Sequence, residues 1–404
     1  MNWESDPAPP SHAPNHPSAV DNAAFVDEQI NLLLPLGHTT LESTQPRVVS
    51  PLGVVPKPHG GFRLICDQRK VNLWLRKTPF RMESLSDLAT LSQPGDVLTS
   101  MDLTHGYYHV RLHSSATPYS GFAWRGRFYT WRVLCFGLSD AARVFSKVMG
   151  VLVRHWRGQG IRMLAYLDDW LFVASSVAEA NKISRTVIAD AERAHVNINY
   201  GKSNLSPSTC ITHLGFDIDT AKGMFTVPSK RWHSAQTGIE SLLGGRTRAH
   251  TAREIASVTG KIISMGLALG DPARLYTRAL FADINSAARW GHHVAISPYG
   301  REELLFWRNL PKDRFQGRIY PTKDESPTVF LECDASGIGW GGLCKGPPDH
   351  PYAEAHGFFL DWEREQSSTH RETNGLLFTL RSLAGVCTGK KVPVLVDHHS
   401  LPPV

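Results

Sequence analysis

Apolar residues along this chain change period several times, and each change marks a predicted element. From Phe25 the run AFVDEQINLLLPLGH places apolar residues at helical spacing and stops at Pro-Leu-Gly, which predicts a short amphipathic helix. The runs SPLGVVPK (50–57) and GFRLICD (61–67) predict two strands of a hairpin, turned by Pro58, His59 and Gly60, with Lys57 and Arg63 near its tip. DVLTSMDL (96–103) and FYTWRVLCF (128–136) read as buried strands, and SDAARVFSKVMGVLVRHW (139–156) as a helix starting at a Ser/Asp cap. IRMLAYLDDWLFVAS (161–175) is two apolar runs broken by two aspartates, a hairpin with an acidic turn. VAEANKISRTVIADAERAHV (177–196) predicts a helix, and ITHLGFDID (211–219) with GMFTVPSK (223–230) a last strand pair. Residues 231–310 lose the strand pattern and read as helices with interspersed Arg and Lys. A polar loop follows (311–327), and TVFLECDASGIGWGGLC then resumes strand character. Strands and helices mix without strict alternation, so the expected fold class is α+β.

Composition sharpens this in three places. Residues 1–22 are rich in Pro, Ser, Ala, His and Asn and nearly devoid of large apolar side chains, so residues 1–24 are expected to be a disordered leader. The 404 residues, 42% hydrophobic, suffice for two or three packed domains. A net charge of +6 permits a polyanionic partner without requiring one. Six scattered cysteines with no CxxC pair argue against a disulfide framework or a structural zinc site. With no long apolar run and no secretory leader pattern, the expectation is no membrane partner and an intracellular protein of cytoplasm or nucleus.

The sharpest chemical feature is Tyr166-Leu167-Asp168-Asp169. Adjacent aspartates at a turn also describe an ordinary solvated hairpin. A third acid shifts the balance: Asp102 ends an apolar strand 66 residues upstream, where an ionised carboxylate is costly unless a cation neutralises it. Three carboxylates converging from a strand end and a hairpin suit a pair of Mg²⁺ ions, with Mn²⁺ as substitute, in phosphoryl transfer.

The Asp102 strand, the FGLSDAARVF segment and the YLDD hairpin, in this order and spacing, resemble the successive palm motifs of retroelement reverse transcriptases. SPLGVVPKPHGGFRLICDQRKVN followed by YLDDWLF is similar to the tyrosine-recombinase retrotransposons called DIRS-like. The resemblance runs over about residues 26–400. It implies a right-hand polymerase, with fingers and palm at 25–230 and a helical thumb and connection, including Arg246, Arg248, Arg253 and Lys261, at 231–325. It implies catalytic, metal-holding roles for Asp102, Asp168 and Asp169, and triphosphate contacts by Lys57 and Arg63. Tyr107, five residues after Asp102, stands where an aromatic excludes a ribose 2′-hydroxyl; Tyr108 beside it is the other candidate, with a core aromatic as the alternative. Gly137 in Phe136-Gly137-Leu138-Ser139 matches the loop that approaches template and nucleotide. Lys202 matches a lysine that protonates the leaving pyrophosphate, or is a plain surface lysine, and Leu214-Gly215-Phe216 matches the primer-grip hairpin. The family usually has proline where Ala142 stands, and Asp140 adds a negative charge on the template side.

At the C-terminal end, Asp334 lies in ECDASGIGWGG, Glu372 opens the helix-like RETNGLLFTLRSL, and Asp397 ends VPVLVD. Strand Asp, helix Glu, strand Asp resembles the metal site of ribonuclease H, which makes 326–404 a ribonuclease H-like α/β domain. His398-His399 replaces the usual Asn, and the sequence ends at Val404 before a fourth acid, so this domain is expected to be truncated and impaired in cleavage. The implied partners are an RNA template, a DNA primer, an RNA–DNA hybrid and dNTPs. Rival readings are an RNA-directed RNA polymerase, or a non-catalytic nucleic-acid-binding remnant of a mobile element.

Overall fold

The strand Val97–Asp102 sits second in a four-stranded antiparallel sheet of order Asn204–Ser208, Val97–Asp102, Asp169–Ala174, Arg162–Tyr166. In this computed structural model, which describes all residues except 2, 58–59, 245–248, 312–313, 321–327, 347–352 and 397–404, the strands Val97–Asp102, Asp169–Ala174 and Arg162–Tyr166 bury side chains on both faces of that sheet. Met163, Trp170, Phe172 and Met101 face one core, while Leu164, Leu171, Val173 and Leu98 face another. Two-sided burial is why these strands read as unbroken apolar runs rather than alternating ones.

The first core is closed by the helices Ala141–Gly158 and Val177–Arg193. Trp156 is fully buried between them, and its indole N–H donates to Asp190 at 2.9 Å, so the polar end is satisfied. Ser176 caps the second helix by accepting from the Glu179 N–H. The expected Ser/Asp cap on the first helix does not form. Asp140 instead accepts two hydrogen bonds from Arg143, at 2.5 and 2.6 Å, which neutralises the negative charge noted there.

On the other face lies a meander of Cys210–His213, Phe216–Asp219 and Met224–Thr226, followed by the helices Ser229–Leu243, Ala252–Ser264, Arg278–Asn285 and Pro298–Asn309. ITHLGFDID is thus two strands, folded back at Leu214-Gly215, both with positive φ. The stretch expected to be a polar loop contributes a fourth strand, Gln316–Arg318, paired with Met224–Thr226. Its flanking Phe315 and Ile319 are buried, a pair too short to register as a periodic pattern. Arg246 and Arg248 lie outside the described residues.

A five-stranded sheet orders Ser11–His12, Val48–Val49, Gly121–Trp124, Arg127–Trp131 and Thr39–Glu42. FYTWRVLCF is strand only as far as Trp131; Val133, Leu134 and Cys135 are buried in irregular chain. The predicted hairpin forms from Leu52–Pro56 and Phe62–Cys66, with Val55 opposite Arg63, and packs on the helix Ala23–Leu33. The leader expected to be disordered is ordered. Ser11–His12 pairs parallel with Val48–Val49, Pro17–Asp21 is helical, and Ala8 and Ala19 are buried. It has no core of its own, and its small polar side chains serve as hydrogen-bond partners for neighbouring strands.

Contacts divide the chain into units at 1–320 and 321–404; the expected boundary at 325/326 lies outside the described residues. In the second unit the antiparallel strands Phe330–Ala335, Gly339–Lys345 and Ala353–Phe358 are joined by Val394–Leu395, parallel to the first. The helix Ser368–Ser382 lies on this sheet, with Glu372, Gly375 and Thr379 on its buried face. Glu372 therefore sits in the second turn rather than opening the helix.

Candidate active site

Strand register brings the acids together. Asp169 is the ladder partner of Asp102, at the ends of adjacent strands, and Asp168 occupies the two-residue turn between Tyr166 and Asp169. The first turn residue, Leu167, has φ of 52°, a position that normally favours glycine, and packing of its side chain into the first core holds it there. The Asp168 carbonyl accepts from the Leu103 N–H at 3.0 Å, which ties the turn to the chain just beyond Asp102. Gly106 leaves room for the Asp168 side chain, since a Cβ there would lie 3.1 Å from the Asp168 Cβ. Asp102 is braced through its backbone: its N–H donates to Ser203 Oγ at 3.0 Å and its carbonyl accepts from the Asn199 N–H at 2.8 Å.

Electrostatics at the acids follow from this crowding. Burial, then the neighbouring Asp102, holds the Asp168 carboxyl above its ordinary range, against the opposing fields of Lys202 and Arg63. Asp169 is pushed up to about 6, by burial first and then by Asp168 and Asp102. Desolvated, mutually repelling carboxylates are the donor set that hard divalent cations relieve, so the residues fit Mg²⁺. Among the described residues no three His, Cys, Asp or Glu side chains form a ready cage. Mg²⁺ commonly binds through one or two carboxylates and completes its shell with water and substrate phosphate.

Cations stand close to these acids. Lys202 Nζ lies 3.9 Å from Asp102 Oδ1, with its side chain otherwise largely exposed. Arg63 stands over the Phe136 ring at 5.8 Å. His105, with φ of 54°, has its pKa lowered by burial and then by Lys57, His109 and Lys202, so a positive field converges there. The structure separates the two tyrosines. Tyr107 packs on Phe136 and Phe145, at 5.0 and 5.6 Å, and its hydroxyl is held above its usual range by burial and then by Asp168. Tyr108 also meets Phe136 edge-on, at 6.0 Å, but lies mainly among His38, His105 and Trp131 in the neighbouring core. Gly137, with φ of 102°, lies so close to the Cys66 carbonyl that a Cβ would collide with it. Asn72 bridges the same junction, donating to the Gly137 carbonyl at 2.8 Å and accepting from the Ser139 N–H at 2.9 Å. The close approach Gly137 permits is thus to the hairpin strand.

Sequence reasoning passed over His105, Asn72 and Ser203. His105 had one weak signal, a non-glycine residue preceding a glycine in a tight turn; the other two act on backbone groups distant in sequence and had none. In the second unit, Asp334 is exposed and accepts from the Ala335 N–H at 2.7 Å, while Glu372 is buried on its helix. Gly375, one turn after Glu372, packs 3.7 Å (Cβ position) from the Asp334 carbonyl. Asp397 lies outside the described residues.

This mixed architecture is the polymerase fold of the reverse transcriptases. Residues 55–218 match the family described as reverse transcriptase (RNA-dependent DNA polymerase). The chain is 25% identical over 406 residues to the retrovirus-related Pol polyprotein from transposon opus of Drosophila melanogaster, covering 97% of this chain and 39% of that protein. To the transposon Tf2-3 polyprotein of Schizosaccharomyces pombe it is 21% identical, covering 96% of this chain and 28% of the relative. It therefore spans well under half the length of these relatives. A foamy viral protease-reverse transcriptase in complex with double-stranded DNA matches with a TM-score of 0.63 at 19% identity, over 97% of this chain and 65% of that one. The foamy viral enzyme in complex with an RNA/DNA hybrid matches with a TM-score of 0.63 at 18% identity, over 98% and 52%. Among the described residues, no helix is long and apolar enough to cross a membrane.

Proposed function

We propose that this chain is the RNA-directed DNA polymerase of a retrotransposon, extending a DNA primer on an RNA template from dNTPs. The observation that carries this reading is the ladder pairing of Asp102 with Asp169, with Asp168 in the adjoining turn. Asp102, Asp168 and Asp169 would hold two Mg²⁺ ions, or Mn²⁺, which when bound stabilise the attacking and leaving oxygens. Lys57 and Arg63 on the fingers hairpin receive the triphosphate, Lys202 stands beside Asp102 to donate a proton to pyrophosphate, and Tyr107 walls the sugar pocket. Gly137 acts at one remove, by seating the loop at Phe136 against the hairpin. Residues 25–230 are fingers and palm, 231–325 thumb and connection, and 326–404 a ribonuclease H-like domain in which Asp334, Glu372 and Asp397 are the candidate metal ligands. The SPLGVVPK and YLDDWLF motifs favour a DIRS-like element, working inside the cell in cytoplasm or nucleus.

Metal-dependent extension of oligo(dT) on poly(rA) tests the reading. Asp168→Asn is expected to remove extension by at least about 10³-fold, while primer–template affinity, carried mainly by basic side chains, stays within about threefold. Wild-type binding without any extension would favour the non-catalytic remnant, and preference for ribonucleotides the RNA polymerase.

A further inference from the structure

The fingers hairpin is a two-stranded sheet on its own, and such a hairpin is marginally stable in water unless something holds it. One side packs on the helix Ala23–Leu33. The outer edge of Leu52–Pro56 faces residues 13–18 of the leader. The His16 N–H donates to the Leu52 carbonyl at 2.9 Å, the Leu52 N–H donates to Asn15 Oδ1 at 2.8 Å, and the Val54 N–H donates to Ser18 Oγ at 3.1 Å. The other end of the Asn15 amide reaches a different sheet, where Nδ2 donates to the Ala123 carbonyl at 2.8 Å. One side chain therefore bridges the hairpin to the strand Gly121–Trp124. The His16 ring supports the bridge, with a nitrogen 3.2 Å from Asp67 Oδ2 just after the second hairpin strand.

We infer that Asn15 is a positioning residue for nucleotide binding: its amide locks the hairpin, and so Lys57 and Arg63, at the distance from the palm acids that an incoming triphosphate needs. This rests on the polymerase reading above. Lys57 follows the strand whose edge Asn15 and Ser18 satisfy, and Arg63 is the ladder partner of Val55, next to Val54. Freedom at that edge transfers to both cations, and small misplacements of a phosphate clamp are costly. Asn15 touches neither substrate nor acids, so its loss should weaken nucleotide binding and spare the chemical step.

The test compares the full chain with Asn15→Ala, which removes both bonds, and Asn15→Asp, which keeps only the acceptor toward Leu52. Hydrogen exchange and steady-state extension are read on the same preparations. In Asn15→Ala, amides of 52–66 are expected to exchange at least about tenfold faster, with 97–102 and 162–174 unchanged. KM for dTTP should rise about tenfold, with kcat and primer–template affinity within about twofold, and Asn15→Asp should fall between. Unchanged KM, with or without faster exchange, overturns the inference, as does loss of protection throughout 1–320. Ser18→Ala, which removes a single bond, gives the same pattern in weaker form and serves where Asn15→Ala does not fold. Absence of extension by the wild-type chain defeats the polymerase reading itself, a result distinct from an extending wild type whose KM ignores Asn15.

Discussion

Asp169 shows the cost of the site at a single residue. Its carboxyl is pushed up to about 6 in the folded chain, above the value of about 3.9 expected when unfolded. The folded state thus binds the proton more tightly, and stability falls as pH rises from about 4 through 6. Asp169→Asn is expected to raise the melting temperature by a few degrees at pH 7.5 in the absence of divalent cations, to gain less at pH 5, and to abolish extension. Thermal unfolding at the two pH values checks it, and a variant no more stable than wild type at pH 7.5 would refute it. The neighbouring Tyr107 tests sugar choice. With its ring against Phe136 and its hydroxyl in the field of Asp168, Tyr107→Ala should raise ribonucleotide incorporation about tenfold or more relative to deoxynucleotide. The same change at Tyr108, packed against Trp131, should instead lower stability.

At the scale of an element, the hairpin at Leu214-Gly215 is built around a buried histidine. His213 closes the strand pair opposite Phe216, and burial lowers its pKa to about 4. Because the folded value is depressed, its contribution is intact above about 6.5 and is lost as pH falls toward 4, up to about 3 kcal/mol. His213→Gln should flatten that acid dependence, and urea midpoints at pH 7.5 and 5 in both chains measure it. An equal loss in wild type and variant would assign the acid sensitivity elsewhere. Arg231 clamps the same hairpin to the helices, donating to the Gly215 carbonyl at 2.6 Å and the Ser264 carbonyl at 2.8 Å, with its guanidinium 4.7 Å over Phe216.

At the scale of the whole molecule, the chain divides after Tyr320, and the strand Gln316–Arg318 belongs to the first unit. Residues 1–320 alone should therefore fold and extend a primer at a rate within about threefold of the full chain. Cleavage of an RNA–DNA hybrid is expected to be weak, and whatever remains should be confined to the full chain and abolished by Asp334→Asn. Full cleavage by the 1–320 fragment would remove Asp334 and Glu372 from the proposed ribonuclease site. Cutting instead at 310 would strip a paired strand from the meander and is expected to give an aggregating product.

The features legible from the residues alone are local ones. The period of apolar residues located the central strands and the long helices, because both are fixed by which side chains face a core within a few residues. The YLDD turn and the Asp102 strand were legible for the same reason: an acid amid apolar residues is costly wherever the chain goes. Tertiary structure decided everything that depends on a partner far along the chain. The leader looked disordered because its composition offers no core, yet Asn15 and Ser18 are satisfied by strands about 36 to 108 residues away. The strand Gln316–Arg318 exists only because Met224–Thr226 presents an open edge. Register made ladder partners of Asp102 and Asp169, and burial, then the crowding of Asp168 and Asp102, pushes the Asp169 carboxyl toward neutrality. A sequence states which groups are present; the desolvation and repulsion that tune them arise when distant strands bring them within reach.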